Sequence, residues 1–448
     1  MTRLTLPSGA TYLGEKTENY ISLWFVTFVA LGFATTQISW SFFNLVVPII
    51  LQDEAGFNIP LGFVGFIMTW DNIIALFIQP AVGSYSDKVR TRIGRRLPFI
   101  IPGVIFGAIL FYLLSISRTY AIVFFLTNIV AFNIVMALYR SPAASLMPDL
   151  IVSKNRSFAN SIMNIVGGVA VGGALFVGGK FLDDDDVEGA FALIAISMIV
   201  FLIILLSFIR EPKRKKEVRV QEGSKSVIRE IIFEIKQLFR SDEKSLLYIL
   251  LAITFWFTAV FAIEAWLSTY IGTIFLPEED GLVAAGEAGQ VLFIFPIAFV
   301  LFAIIGGILG TYLGRIQTTK FGAILMIIGT IIAIAIQPND VFGIEVDWRI
   351  SFPVAFFFAG AGWGLVTANA IVIVWELAKD NGIGTGMYYA FASIAAISGP
   401  TIAGIIMDIF GVQWLFRFSL FFFILGSIAI LRVIKGETGD RAEIVAAG

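Results

Sequence analysis

Gly83-Ser-Tyr-Ser-Asp-Lys-Val-Arg-Thr-Arg-Ile-Gly-Arg-Arg96 is a short basic stretch wedged between two long apolar runs, Leu61 to Gly83 and Pro98 to Ile116. Lys88, Arg90, Arg92, Arg95 and Arg96 crowd into it. Apolar runs of about 20 residues cross a hydrocarbon core of roughly 30 Å as helices, and lysine and arginine collect in the loops that stay cytoplasmic. The stretch therefore reads as a cytoplasmic loop joining two membrane helices. A second string, Gly310-Thr-Tyr-Leu-Gly-Arg-Ile-Gln-Thr318, closes another apolar run and repeats the glycine, tyrosine and threonine in register, 227 residues on. That offset is about half of the 448-residue chain, so the sequence reads as two similar halves.

Working outward from this pair, twelve runs emerge: Ser22 to Ile50, Leu61 to Gly83, Pro98 to Ile116, Tyr120 to Met147, Phe158 to Gly179, Ala190 to Phe208, Ser245 to Phe275, Gln290 to Leu313, Phe321 to Ile336, Ile350 to Trp375, Thr385 to Met407 and Trp414 to Ile434. Apolar residues make up 58% of the chain, charged residues 14%, and the mean hydropathy is +0.89. Soluble domains carry about 25% charged residues. The expected fold is an all-α membrane protein, twelve transmembrane helices in two pseudo-symmetric six-helix bundles. Its parts are a cytoplasmic N-terminus over 1–20, bundles over 21–209 and 245–434, a cytoplasmic linker over 210–244 and a cytoplasmic tail over 435–448. Basic loops alternate with acidic ones holding Asp183 to Asp186, Glu278 to Asp280, Asp340 and Asp347. Both termini are therefore expected in the cytoplasm, which an even helix count also requires. The mixed polar first twenty residues and the long first run read as no cleaved targeting segment.

Zero cysteines exclude disulfides and thiolate chemistry, and zero histidines leave a carboxylate to carry any proton near neutral pH. With no cluster of nucleophiles or metal ligands, an enzyme, a cofactor and a metal site are not expected. A net charge of −2 offers no basic groove for nucleic acid. In the linker, Val227, Ile228, Ile231, Ile232, Ile235, Leu238 and Phe239 recur at helical spacing after the basic run Lys213 to Lys216. That pattern predicts an amphipathic helix on the cytoplasmic leaflet.

Asp87 to Arg96 resembles the loop between helices two and three of the major facilitator superfamily. The longer strings Gln79-Pro-Ala-Val-Gly-Ser-Tyr-Ser-Asp and Thr91-Arg-Ile-Gly-Arg-Arg-Leu-Pro-Phe-Ile resemble one branch of it, the sucrose:proton symporters and the related glycoside-pentoside-hexuronide:cation symporters. Tyr139-Arg-Ser-Pro, Leu146-Met-Pro-Asp-Leu, Arg156-Ser-Phe-Ala-Asn, Thr385-Gly-Met-Tyr-Tyr and Ser398-Gly-Pro are similar to the same branch, so both halves share the likeness. Trp70-Asp71 is similar to the Trp-Asp pair of the second group but lies one helical turn farther from Pro80 than that group places it. The resemblance implies alternating access, a sugar or glycoside cargo and proton or sodium coupling.

Ionised side chains inside a bilayer are expensive and mark function by default. Asp71, Arg140 and Glu264 lie within predicted spans. Asp71 is the leading cation-coupling carboxylate, Glu264 the second, and Arg140 the counter-charge that pairs with a carboxylate in one state and with cargo in another; a static Asp71–Arg140 pair is the alternative. Gln37, Trp40, Ser41 and Asn44 share a face of helix one, and Asn133, Asn164, Trp363 and Thr367 are the other polar candidates for a cargo path, with interhelical glue as their plainer role. Glu376 and Asp408, near span ends, read as caps or interface charges. Gly83, Asp87, Arg92, Gly94 and Arg95 are the expected gate residues. The functional expectation is a monomeric sugar:proton or sugar:sodium symporter of the cell membrane. A facilitator or exporter of amphipathic solutes, or a sensor or scaffold without flux, stands as the alternative.

Overall fold

The computed structural model describes residues 23–52, 57–151, 156–211, 243–338, 346–378 and 381–437, together with 11–12, 15–16, 238, 340–341 and 343–344. Among these, twelve helical spans are long and apolar enough to cross a membrane. The protein is nearly all helical. Its strands among the described residues are two-residue pairs, Thr11–Tyr12 with Glu15–Lys16 and Ile336–Gln337 with Asp340–Val341. Of the predicted linker helix only Leu238 is described, and it is buried among Leu246, Leu250 and Leu377; the rest of that expectation lies outside the described residues.

The helices are α1 (Leu23–Gln52), α2 (Leu61–Ile67), α3 (Trp70–Lys88), α4 (Leu97–Ser117), α5 (Ile122–Leu150), α6 (Arg156–Asp183), α7 (Val187–Phe208), α8 (Ser245–Phe275), α9 (Gly281–Leu292), α10 (Ile294–Tyr312), α11 (Arg315–Ala335), α12 (Trp348–Leu377), α13 (Asn381–Phe410) and α14 (Leu415–Leu431). Two spans are each made of two helices. The second breaks at Met68–Thr69, where the Thr69 hydroxyl and amide both turn to Phe66 O, at 2.7 and 3.1 Å, and tighten the turn. The eighth breaks at Phe293 and begins at Gly281, not at the predicted Gln290. Its first turns, Gly-Leu-Val-Ala-Ala-Gly-Glu-Ala-Gly, are too rich in small residues for hydropathy to reveal.

Acidic residues of the loops opposite the basic ones serve as helix caps. Asp186 accepts from Gly189 N, Asp280 from Leu282 N and Asp347 from Arg349 N, which satisfies open amides at the starts of α7, α9 and α12.

The chain forms two compact units. Unit 1 comprises Met1–Asn58, Trp70–Arg219 and Asp280–Gln290; unit 2 comprises Ile59–Thr69, Val220–Glu279 and Val291–Gly448. In unit 1, α1 packs on α6 and α7, α4 on α5 and α7, and α3 on α5. Unit 2 repeats the scheme: α8 packs on α13 and α14, α11 on α12 and α14, and α10 on α12. The repeated glycines explain two of these approaches. A Cβ at Gly83 would come within 2.9 Å of Ser141 Oγ on α5, and one at Gly310 would collide with the Asn369 side chain on α12. Unit 2 also holds α2 against α13. Gly65 packs where a Cβ would lie 2.5 Å from Pro400 O, and Asp408 accepts from Leu61 N at 3.0 Å and Gly62 N at 2.7 Å.

Candidate transport site

In unit 1 the polar residues of α1 reach two neighbours: the Trp40 ring meets Phe132 of α5, and Gln37 lies beside Gly167 of α6. Gln37, Trp40 and Asn44 are half-buried, as is Asn164 on α6, and Asn133 on α5 is only 2% exposed. The Trp40 ring meets Phe43 at 5.3 Å and Phe132, the neighbour of Asn133, at 5.5 Å. Trp40 Nε1, Ser41 Oγ and Asn133 Oδ1 are buried without a hydrogen-bond partner. Such atoms are uncommon, because an unpaired buried polar group forfeits its hydration for nothing. A mid-helix serine ordinarily turns back on its own helix, as Ser39 does by donating to Thr35 O at 3.1 Å. Ser41 does not. Two donors and an acceptor thus stand unpaired on adjacent helices, a set complementary to hydroxyl groups, which both donate and accept.

Asp71 opens α3, half-buried, and accepts from Asn72 Nδ2 at 2.7 Å. Arg140 lies in the same unit on α5, also half-buried. Among the described residues no ion pair joins Asp71 to Arg140, and α3 meets α5 in close packing at Gly83. In unit 2, Glu264 is half-buried on α8. Trp363 on α12 is 8% exposed and meets Phe257 of α8 edge-on at 4.6 Å. Thr367 donates to Trp363 O at 2.9 Å, so its own helix satisfies its hydroxyl proton.

The basic loop between α3 and α4 folds onto the chain that follows α7. Gly94 has a φ of +117°, a conformation that disfavours a side chain, and a Cβ there would collide with the Glu211 carboxylate. Glu211 Oε2 accepts from the amides of Arg96 at 2.9 Å and Leu97 at 3.3 Å, capping α4 with a negative charge where the helix dipole favours one. Arg96, 4% exposed, donates to Asp149 Oδ2 at 2.8 Å, to Gly83 O at 3.4 Å and to Ser86 Oγ; Arg95 pairs with the same Asp149. Arg92 is exposed, and the Asp87 side chain lies outside the described residues.

Unit 2 repeats this arrangement. Gly314 has a φ of +92°, Glu437 accepts from the amides of Arg315 and Ile316 at 2.9 Å each, and Arg315 pairs with Glu376 at 2.9 Å. Asp149 and Glu376 are 227 residues apart and Glu211 and Glu437 226, close to the offset of Gly83 and Gly310. Sequence reasoning misses Glu211 and Glu437, which stand in polar tails beyond the last apolar residue. The repeat offset is the signal that finds them.

Two units with the same helix packing and a duplicated end network call for comparison with known transporters. The superposition on the crystal structure of the nucleoside transporter NupG has a TM-score of 0.68 at 13% identity, covering 93% of this chain and 100% of that one. A bacterial homologue of the human drug peptide transporters PepT1 and PepT2 superposes with a TM-score of 0.65 at 13% identity, over 95% of this chain and 99% of that one. In sequence, the general alpha-glucoside permease of Schizosaccharomyces pombe is 27% identical over 300 residues, 56% of this chain and 52% of the permease. The sucrose transport protein SUC3 of Arabidopsis thaliana is 29% identical over 170 residues, 33% of this chain and 28% of that protein. The chain thus spans about half or less of the length of these relatives. The family model matches both halves, over residues 29–286 and 279–446, and with it the duplicated loop, the twelve spans and the paired units take one name: the chain belongs to the Major Facilitator Superfamily.

Proposed function

We propose that the protein is a secondary active transporter that carries a sugar or glycoside together with a proton by alternating access. The observation that carries this reading is the group of unpaired buried atoms on α1 and α5, Trp40 Nε1, Ser41 Oγ and Asn133 Oδ1. Cargo hydroxyls satisfy both kinds of partner, and the indole covers an apolar ring face. A glucoside permease and a sucrose transport protein among the relatives support the same cargo class.

Gln37, Asn44, Asn164, Trp363 and Thr367 complete the cargo path in this reading. Asp71 carries the coupled proton, Glu264 is the second carboxylate, and Arg140, which makes no ion pair among the described residues, is the mobile counter-charge that lowers the carboxyl pKa when it approaches. Sodium is the other cation the site chemistry admits. Gly83, Asp87, Arg92, Gly94 and Arg95 form the gate around the Asp149 and Glu211 network. The bundles are 21–209 and 245–434, both termini lie in the cytoplasm, and the working unit in the cell membrane is a monomer.

The test is uptake of radiolabelled sucrose, maltose and methyl α-glucoside into proteoliposomes with an imposed inward proton gradient. Accumulation that a protonophore collapses is expected for at least one of them. Transport of none, with or without sodium, overturns the reading.

A further inference from the structure

The proposed path leaves unused the Thr385-Gly-Met-Tyr-Tyr string and the aromatic residues that precede Glu264. In unit 2 the two come together. Phe257 of α8 stands edge-on to Trp363 of α12, 4.6 Å between centroids at 75°, and edge-on to Tyr388 of α13, 6.1 Å at 87°. Phe261, one turn along α8, is 5.5 Å from Phe257, and Glu264 follows on the same stripe of the helix. Phe257, Phe261 and Glu264 are half-buried, whereas Trp363 and Tyr388 are 8% and 7% exposed.

The polar tips of these two rings differ from those of Trp266 and Trp375, as do those of Tyr270 and Trp348, which pack in a separate aromatic group around Phe352. A buried tyrosine or tryptophan normally finds a partner for its O–H or N–H. Trp266 does so with Pro400 O at 2.8 Å, and Trp375 with Thr385 Oγ1 at 2.8 Å. Neither the Tyr388 hydroxyl nor the Trp363 indole N–H has a hydrogen-bond partner among the described residues. Trp256 N–H, in the same core cluster, is also unpartnered and is sealed against Gly426. Three helices thus bring apolar ring surfaces, a phenol and an indole N–H to one place.

We infer that Phe257, Trp363 and Tyr388 form an aromatic subsite for one pyranosyl ring of the cargo, with Tyr388 as a specificity-determining residue. The inference rests on the sugar reading above and names the residues of unit 2 that grip the ring. Phe257 stands near-perpendicular to both of its neighbours, so it forms no parallel-walled slot with either for a flat base. A corner of edge-on rings suits a puckered ring whose C–H bonds diverge, and the phenol and indole reach the hydroxyls at its rim. Tyr388 donates to or accepts from one hydroxyl, and Trp363 donates to another.

The experiment uses the full chain in proteoliposomes and measures KM and Vmax for methyl α-glucoside, with uridine as the planar-base probe, in the native protein, Tyr388→Phe and Phe257→Leu. Tyr388→Phe keeps the ring and removes only the hydroxyl; a KM rise of fivefold or more with Vmax within twofold is expected. Phe257→Leu keeps the apolar volume and removes the ring, with the same direction expected. A purely structural role would lower the amount of folded protein and Vmax together and leave KM alone. If the native protein moves the glucoside and Tyr388→Phe has native KM, the subsite is wrong while the sugar reading stands. Should Phe257→Leu fail to fold, Tyr388→Phe alone decides. Uridine uptake that the glucoside does not inhibit, with no glucoside uptake, overturns both.

Discussion

Replacing Asn133 with leucine separates a core asparagine from one kept for cargo. The two side chains have the same branched heavy-atom skeleton, so Asn133→Leu exchanges an amide for an apolar end with limited repacking on α5. An unpaired buried amide oxygen costs about 1–3 kcal/mol, and Asn133 Oδ1 is such an atom, on a residue 2% exposed. The substitution removes that cost from the folded state. A stability gain of this size raises the midpoint by roughly 2–4 °C per kcal/mol for a unit of about 200 residues. Thermostability is therefore expected to hold or rise by several degrees, read by intrinsic fluorescence of the purified protein during heating.

Transport moves the other way. A cargo hydroxyl that loses its partner inside the path forfeits about 1–3 kcal/mol, which is about 5- to 150-fold in affinity. The KM for methyl α-glucoside should rise within that range. A leucine variant that melts well below the native protein while transporting with native KM refutes the reasoning, since it identifies the amide as structural glue satisfied in another state.

Asp71→Asn should abolish gradient-driven accumulation while sparing counterflow exchange of preloaded sugar; persistent accumulation moves the coupling role to another carboxylate. Glu437→Ala removes the acceptor for two amides at the start of α11, worth about 0.5–2 kcal/mol as a cap, and should lower the thermal midpoint by a few degrees, with Glu211→Ala doing the same at α4. Equal stability in both alanine variants would show that the duplicated caps are ornamental. Asp408→Ala uncaps α2, so hydrogen exchange should quicken over Leu61–Ile67 and stay unchanged in α5; uniform exchange across both segments would count against the cap.

The twelve spans are legible because hydropathy acts along the chain: a 20-residue apolar run needs no tertiary partner to declare itself. What stays hidden depends on distant contacts. Glu211 bonds amides 115 and 114 positions back and Glu437 amides 122 and 121 back, so neither glutamate is distinguishable from a solvated tail residue until the loop glycines are placed beside it. The break at Met68–Thr69 carries no proline or glycine and arises from a threonine hydroxyl competing for a carbonyl, which periodicity cannot separate from the ordinary back-bond of Thr35. Gly83 was readable as the shared glycine of the repeat, and its close approach to Ser141 only from the packed helices. Asp408 was readable as a cap, though not as the cap of α2.

Duplication sorts the remaining candidates. In the matched helices α5 and α12, aligned by Asp149 and Glu376, Asn133 falls opposite Gly360, Arg140 opposite Thr367 and Trp363 opposite Met136; in α3 and α10, aligned by the glycines, Asp71 falls opposite Ala298. The end networks survive in both copies, as parts that serve each half alike should. The unpaired amide, the arginine, the indole and the deep carboxylate have no chemical counterpart in the other copy. Packing that the fold requires in both halves would hold such positions to similar chemistry, whereas an asymmetric cargo and a single coupled ion demand different groups from each half. The positions where the repeat is broken by polar or ionised chemistry are therefore the ones the proposed function assigns to transport rather than to architecture.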